Sequence, residues 1–474
     1  MGFDYQLVVI GGGSGGLTVA AGAASFGAKV ALVERKKQLG GDCLHYGCMP
    51  SKALIQAAKE VQEASKYMDI KKVEYNALFE GAMTRVKEAV QEVQDHDSKD
   101  RFINLGIDLY EAEAVFEDEH TIRVGAETIT AKRFVIATGS SPFVPHIDGM
   151  DNVGYLTNES IFALHNKPES LAVIGGGVIG VELSQAMSRL GVDVTMIEGN
   201  EHILSKEDDE IVQIAERSLS EQLHILTNAK AERVRRDGKG IHILYTKDGV
   251  QNEIHTDQLL VATGRKPNIE NLELDKIGVK TDDEGFIKVD ESLRTSRKHI
   301  YAVGDCNGSM PFTHVAGMEG KIAVSNAVLG LARKVSYKKI PWIVYTDPEI
   351  YHLGLTEKEA RKKYGEYLMT FKTLLKDNDR FMAERKKEGL VKVLTTRRGK
   401  IVGAHAIGDG AGEWMQEIGT VQALNKKFPS ISSVIHPYPA KNNVVSQTAD
   451  LYWREKLFGS KWNEVIRWYV RKWR

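Results

Sequence analysis

The sequence predicts an α/β protein in which two parallel-sheet domains share one plan, the second inserted into the first, and an α+β domain follows them. Three observations predict it. Residues 5–34, YQLVVIGGGSGGLTVAAGAASFGAKVALVE, and residues 171–198, LAVIGGGVIGVELSQAMSRLGVDVTMIE, share a pattern of apolar strand, G-x-G-x-x-G turn, small-residue helix, Gly and second strand ending in Glu. That is a βαβ unit with its crossover. A second pair recurs as well: RFVIATGSSP (133–142) and QLLVATGRKP (258–267) are both apolar strands ending in A-T-G before a loop with Pro. Beyond about Pro341, strand-like IVYT and LVKVLTT alternate with charged helical stretches and no such glycine turn recurs. The expected boundaries are 1–150 and 281–340 for the first domain in two parts, 151–280 for the inserted domain, 341–459 for the α+β domain and 460–474 for a basic tail.

Composition sets the class. A chain of 474 residues, 42% hydrophobic with net charge −1, has ample material for several cores. No basic excess points to nucleic acid. Three cysteines in such a length argue against a disulfide scaffold and for a reducing compartment. The N-terminal MGFDYQLVVIGGG enters a strand directly, without the features of a secretory leader, and no apolar run is long enough to span a bilayer. A cytoplasmic location is expected.

Each glycine turn is read as a phosphate cradle. Gly11, Gly13 and Gly16 hold the fingerprint positions of the first unit, and Gly175, Gly177 and Gly180 those of the second. Glycine suits the tight turn, the close approach of backbone to pyrophosphate and the tight helix–strand packing. The helix that follows aims free N–H groups at the phosphates. Glu34 and Glu198 each lie 23 residues after the first glycine of their unit, where a carboxylate accepts hydrogen bonds from a ribose diol. Glu198 would repel a 2′-phosphate, and the following GNEHILS supplies no arginine, so NADH is expected over NADPH.

The segment Gly40–Lys52, GGDCLHYGCMPSK, holds two of the three cysteines. A five-residue step along a regular helix rises about 7.5 Å, beyond the roughly 7 Å Cα limit for a disulfide. The backbone must therefore bend between Cys43 and Cys48, with Gly47 giving it freedom. Pro50 suits the first turn of the helix that continues as SKALIQAAKEVQEA. Cys48 then sits at a helix start, where the dipole favours a thiolate, and Lys52 adds positive charge. Buried structural thiols, half a zinc site and a redox-active dithiol beside a flavin are the competing readings. The third fits best with two dinucleotide sites in one chain, and no metal site is expected. Cys306, directly after Gly-Asp, is read as structural.

Together the first glycine turn, GGDCLHYGCMPSK, ATGSSP, GGGVIGVE, ATGRKPN, YAVGDC and HPYP resemble, in this order, the FAD-dependent pyridine-nucleotide disulfide oxidoreductases, in the branch of dihydrolipoamide dehydrogenases and mercuric reductases. The resemblance implies that the first unit binds FAD, with Glu34 on the adenosine ribose, Asp305 on the ribityl chain, and Thr138 and Gly139 as further contacts. It implies that the second unit, with Gly264, binds NAD. Cys48 is then the flavin-proximal thiol and Cys43 the interchange thiol. Lys52 lies near the flavin with Glu182 as its ion-pair partner, an arrangement that favours the charged lysine. The C-terminal domain forms a homodimer and delivers His436 to the partner's cysteine pair as a base for thiol exchange.

Three departures qualify this. The glutamate expected five positions after His436 is Lys441, so the ring lacks its orienting carboxylate unless another acceptor is found. Neither a C-terminal vicinal cysteine pair nor an N-terminal metal-binding domain accompanies the motifs, so mercury reduction is expected to be inefficient. Dihydrolipoamide or a lipoyl protein is the expected substrate. A metal-ion reductase, a membrane-associated NADH-to-quinone oxidoreductase and a nucleotide-binding redox sensor without turnover are the alternatives. Finally, KWNEVIRWYVRKWR (461–474) carries five basic residues and one acid, and Trp462, Ile466, Tyr469 and Trp473 share one helical face. Such a helix either lies in a membrane interface or docks on its own dimer.

Overall fold

The computed structural model describes residues 2–68, 72–459 and 462–473. Two compact units divide the chain: residues 1–199 with 225–336, and residues 200–224 with 337–474. The second unit thus takes a segment, including the helix Asp209–Ser220, that the sequence boundaries leave with the inserted domain.

In the first unit, Leu7–Ile10 lies at the centre of a five-stranded parallel sheet. Val30–Val33 and Ile107–Tyr110 extend it on one side, Phe134–Ile136 and Ile300–Ala302 on the other. All four residues of each of the two leading strands are buried, as expected of a parallel sheet covered on both faces. The pairing of Ile300–Ala302 with Phe134–Ile136 closes the sheet across more than 160 intervening residues. Those residues contain the second parallel sheet, in which Ser170–Ile174 pairs with Asp193–Ile197 and Gln258–Val261.

The duplication extends further than the glycine motifs. Each parallel sheet is accompanied by a three-stranded antiparallel ribbon, inserted before the strand that leads to A-T-G. These are Ala114–Asp118, Thr121–Val124 and Glu127–Thr130 in the first case. Ala229–Asp237, Gly240–Lys247 and Val250–Thr256 form the second. Each ribbon turns its apolar face to its own core, Phe116, Ile122 and Ile129 in one and Val234, Ile241 and Ile243 in the other.

The second unit is built on a five-stranded antiparallel sheet, ordered Pro341–Val344, Glu349–Gly354, Ile401–Gly408, Leu390–Thr396, Leu368–Leu374. Lys392 is buried in that sheet because three carboxylates meet its ammonium: Asp208 at 2.7 Å, Glu210 at 2.9 Å and Glu357 at 2.9 Å. A buried charge requires such pairing. Two of these carboxylates come from the start of the Asp209–Ser220 segment, which ties residues 200–224 to this unit.

The chain's last described helix is Trp462–Lys472. Of the predicted apolar face, Ile466 is half-buried while Tyr469 and Trp473 are exposed. The Trp462 side chain and residues 460, 461 and 474 lie outside the described residues. No helix among the described residues is long and apolar enough to cross a membrane.

Candidate active site

The two glycine turns are superimposable in their sterics. Gly11 has φ +109° and Gly175 φ +111°, the left-handed region that L side chains avoid. A Cβ on Gly11 would stand 2.3 Å from the Ala137 carbonyl oxygen, and one on Gly175 2.4 Å from that of Ala262. The third glycines repeat the match: a Cβ on Gly16 would lie 1.8 Å from the Gly11 oxygen, and one on Gly180 2.0 Å from the Gly175 oxygen. The acidic strand ends coincide as well, since Glu34 accepts from Gly12 N and Glu198 from Gly176 N, both at 2.6 Å. A Cβ on Gly177 would meet no protein atom within 4 Å, so its neighbourhood is open for a phosphate to approach the backbone. Helices Ser14–Ser25 and Val178–Arg189 begin at these turns.

The cysteine segment packs on the first turn. Gly40 N donates to Gly12 O at 2.9 Å, and a Cβ on Gly41 would lie 2.7 Å from the Gly13 Cα. Cys43 is in the short helix Gly41–His45, and Cys48 opens the long helix Cys48–Ser65, with Gly47 as its N-cap. The bend therefore falls where the spacing requires it. Gly47 there has φ −118° and ψ −108°, outside the helical and extended regions that other residues occupy. The missing side chain also permits close approach, because a Cβ would lie 3.0 Å from Asp42 Oδ2 and 3.1 Å from the Asp42 carbonyl oxygen.

The two thiols are free and hydrogen-bonded to each other. That bond divides their acidity. The bond from Cys43 pulls Cys48 down to about 6 against the cost of burial, with the Thr313 hydroxyl and the Lys52 charge acting the same way. The same bond, and burial after it, push Cys43 well above the usual thiol range. Thr313 Oγ1 lies 3.2 Å from Cys48 Sγ. Lys52, one turn into the helix, places its Nζ 2.7 Å from Glu182 Oε2, whose side chain is buried on Val178–Arg189. The C-x4-C-x-P-S-K segment thereby reaches the second glycine-turn helix. Cys306 is enclosed, its thiol donating to Val303 O at 3.3 Å, and burial raises it to about 12.

Asp305 Oδ2 accepts from Ser140 Oγ at 2.6 Å, with Arg265 Nε at 3.6 Å. Burial raises the Asp305 carboxyl above its usual range. Arg265 also reaches Asp42 at 3.2 Å, joining Asp305 to the cysteine loop. Thr138 Oγ1 is buried with no hydrogen-bond partner among the described residues, and Gly139 follows it at φ +69°. Gly264 has φ +156° at the equivalent turn of the second unit. The orphaned Thr138 hydroxyl stands beside the first glycine turn, where a Cβ on Gly11 would strike the Ala137 carbonyl oxygen, and a cradle for a polar cofactor provides both features, so the first unit fits FAD.

In the second unit, His436 is not short of a carboxylate. Its Nε2 lies 3.0 and 2.9 Å from the two carboxylate oxygens of Glu417, on the helix Gln416–Ala423. Lys441 points elsewhere, pairing with Glu384 at 3.0 Å and closely with Asp409. The other acceptor for the ring is thus Glu417, from 19 residues upstream rather than five downstream. The His436 side chain is also only 7% exposed. In the same loop Ile435 is 92% exposed and Tyr438 76% exposed, the Tyr438 hydroxyl donating to Asp379 at 2.7 Å.

Residues 5–320 match the family described as pyridine nucleotide-disulphide oxidoreductase, and residues 340–449 its dimerisation domain. The chain belongs to this family. Its members use FAD and a reduced nicotinamide, and the dimerisation domain makes the chain one that pairs with a second copy of itself. Among its relatives is a mercuric reductase of Staphylococcus aureus, 38% identical over 86% of this chain and 75% of that protein. A dihydrolipoyl dehydrogenase of Synechocystis is 33% identical over 94% of this chain and 98% of that protein. The solved copper(II) complex of the HOCl-induced flavoprotein disulfide reductase RclA from Escherichia coli superposes with a TM-score of 0.83 at 25% identity, over 95% of this chain and 100% of that one.

Sequence reasoning missed Thr313, Arg265, Glu417 and Tyr438. Arg265 was open to discovery as the charged difference between ATGRKP and ATGSSP. Thr313 and Glu417 carry no local signal, since only the folded chain brings them to Cys48 and His436.

Proposed function

We propose that the chain is an NADH-dependent flavoprotein reductase in which Cys43 and Cys48 pass an electron pair to a disulfide acceptor, a lipoyl group being the leading candidate. The observation that carries this reading is the unequal thiol pair seated on the first glycine turn, one member acidified to about 6 and the other raised. The bound flavin would link the nicotinamide to that pair by relaying two electrons.

The residues divide the remaining work. Cys48 is a thiolate at neutral pH, held by the Thr313 hydroxyl. Cys43, less acidic, is the stronger nucleophile once its proton passes to Cys48 along their hydrogen bond. Its sulfur attacks one sulfur of the acceptor disulfide and releases the other as a thiolate that takes up a proton. Cys48 then displaces the second acceptor sulfur, leaving a Cys43–Cys48 disulfide and a reduced dithiol. Lys52 and Glu182 hold a charged pair beside this pathway. Glu198 supports NADH over NADPH, because a 2′-phosphate would be set against a carboxylate already fixed on Gly176 N.

A second reading, reduction of a soft metal ion held by both thiolates, has one observation in its favour: the His436 side chain is 7% exposed and its Nε2 is engaged by Glu417 rather than free to act as a base. Relatives named for mercury and a structural neighbour solved with copper(II) agree with it. Stopped-flow mixing of the NADH-reduced protein with lipoamide, and separately with mercuric or cupric ion, tests the assignment. Rapid flavin reoxidation by lipoamide supports the first reading, and reoxidation by the metal ion alone replaces it with the second.

A further inference from the structure

The outer face of the second antiparallel ribbon carries a row of side chains that the electron pathway does not use. The strand register sets Arg235 opposite His242 and His242 opposite His255. Ile241 and Ile243 point into the core, so alternation turns His242 and its two cross-strand neighbours outward. Asp237 and Glu253, each two residues from a member of the row, share that face.

The hydrogen bonds fix the state of the His242 ring. Arg235 lies 2.8 Å from Nδ1 through its guanidinium, which can only donate, so Nδ1 offers a lone pair. The proton is then on Nε2, which donates to Asp237 Oδ2 at 2.7 Å. A carboxylate behind one ring nitrogen, leaving the other free to ligate, is the arrangement found around metal-bound histidines. Nδ1, whose lone pair Arg235 now occupies, also faces Glu253 Oε1 at 3.4 Å, and His255 Nε2 lies 3.9 Å from Glu253 Oε2. One ligand atom from each of His242, Glu253 and His255 lies within 4.8 Å of the others. Small side-chain rotations bring them around one ion at about 2.0–2.2 Å per bond. The space already attracts a cation: Arg235 also reaches Glu253 Oε1 at 3.1 Å.

We propose that His242, Glu253 and His255 form a binding site for a late first-row divalent transition metal, with Asp237 orienting His242 and Arg235 as the built-in competitor that the metal displaces. Two imidazoles and one carboxylate select zinc, copper or nickel over magnesium or calcium. A bound ion would clamp the middle and outer strands of the ribbon together.

The test is calorimetric titration of the full-length, FAD-loaded protein with Zn²⁺, in a Cys43→Ser, Cys48→Ser background so that the thiols do not compete. One Zn²⁺ per chain is expected. His255→Ala, at an exposed position, should weaken it about a hundredfold, and Asp237→Asn roughly tenfold. Arg235→Gln should tighten it, because the competing cation is gone. Equal affinity in His255→Ala and its parent, or weaker binding in Arg235→Gln, would overturn the site.

Discussion

Glu417 grips His436 through both carboxylate oxygens, at 3.0 and 2.9 Å, while Lys441, in the place where an orienting acid was expected, is engaged with Glu384 and Asp409. The pair is enclosed, and it anchors the loop from which Tyr438 projects. Glu417→Gln is therefore expected to lower stability by about 1–2 kcal/mol in urea melts, and to leave flavin reduction by NADH at its parent rate.

Tyr438 should behave in the opposite way. Its side chain is exposed, so Tyr438→Phe should change stability by less than about 0.5 kcal/mol. A urea melt of Tyr438→Phe checks this, and a larger loss would show that the hydroxyl bond to Asp379 holds the loop.

The acidity of Cys48 has an order of causes that can be measured. The Cys43 hydrogen bond is the largest, and the Lys52 charge contributes less. Alkylation of Cys48 by iodoacetamide, followed by mass spectrometry against pH, should have its midpoint near 6 in the reduced parent. Cys43→Ala should move that midpoint upward by more than Lys52→Met does.

His405 supplies a stability prediction. Burial, with the neighbouring His352, lowers its pKa from 6.5 to about 4, so it stays neutral in the fold. The unfolded chain binds the extra proton between these values, and stability is therefore lost as pH falls through that window. The loss amounts to roughly 3 kcal/mol by pH 4. His405→Gln should flatten the dependence of the urea midpoint between pH 6.5 and 4.

Glu198 governs the nicotinamide. Glu198→Ser removes the carboxylate that faces a 2′-phosphate, and the ratio of kcat/KM for NADH over NADPH should fall about tenfold. A ratio that does not change would place the discrimination elsewhere.

Much of the fold and of the thiol site could be read in the sequence because their determinants are local. A glycine turn must be glycine wherever a Cβ would strike a carbonyl, and Gly11 and Gly175 meet that condition within 0.1 Å of each other, at 2.3 and 2.4 Å. The bend between Cys43 and Cys48 followed from the limits of helix geometry, and at Gly47 the missing side chain also permits close approach to Asp42. What escaped depends on packing. Glu417 reaches His436 only because the helix Gln416–Ala423 belongs to the same core, through Ile418. The assignment of residues 200–224 to the second unit follows from the burial of Lys392 among carboxylates distant in sequence, which no periodicity announces.

The most direct test of the central claim is anaerobic titration of the FAD-loaded protein with NADH, followed by visible absorption. Bleaching of the flavin band is expected, with a long-wavelength band from the Cys48 thiolate beside the flavin that survives in Cys43→Ser and vanishes in Cys48→Ser. Persistence of that band in Cys48→Ser, or a flavin that NADH does not bleach, would contradict the account.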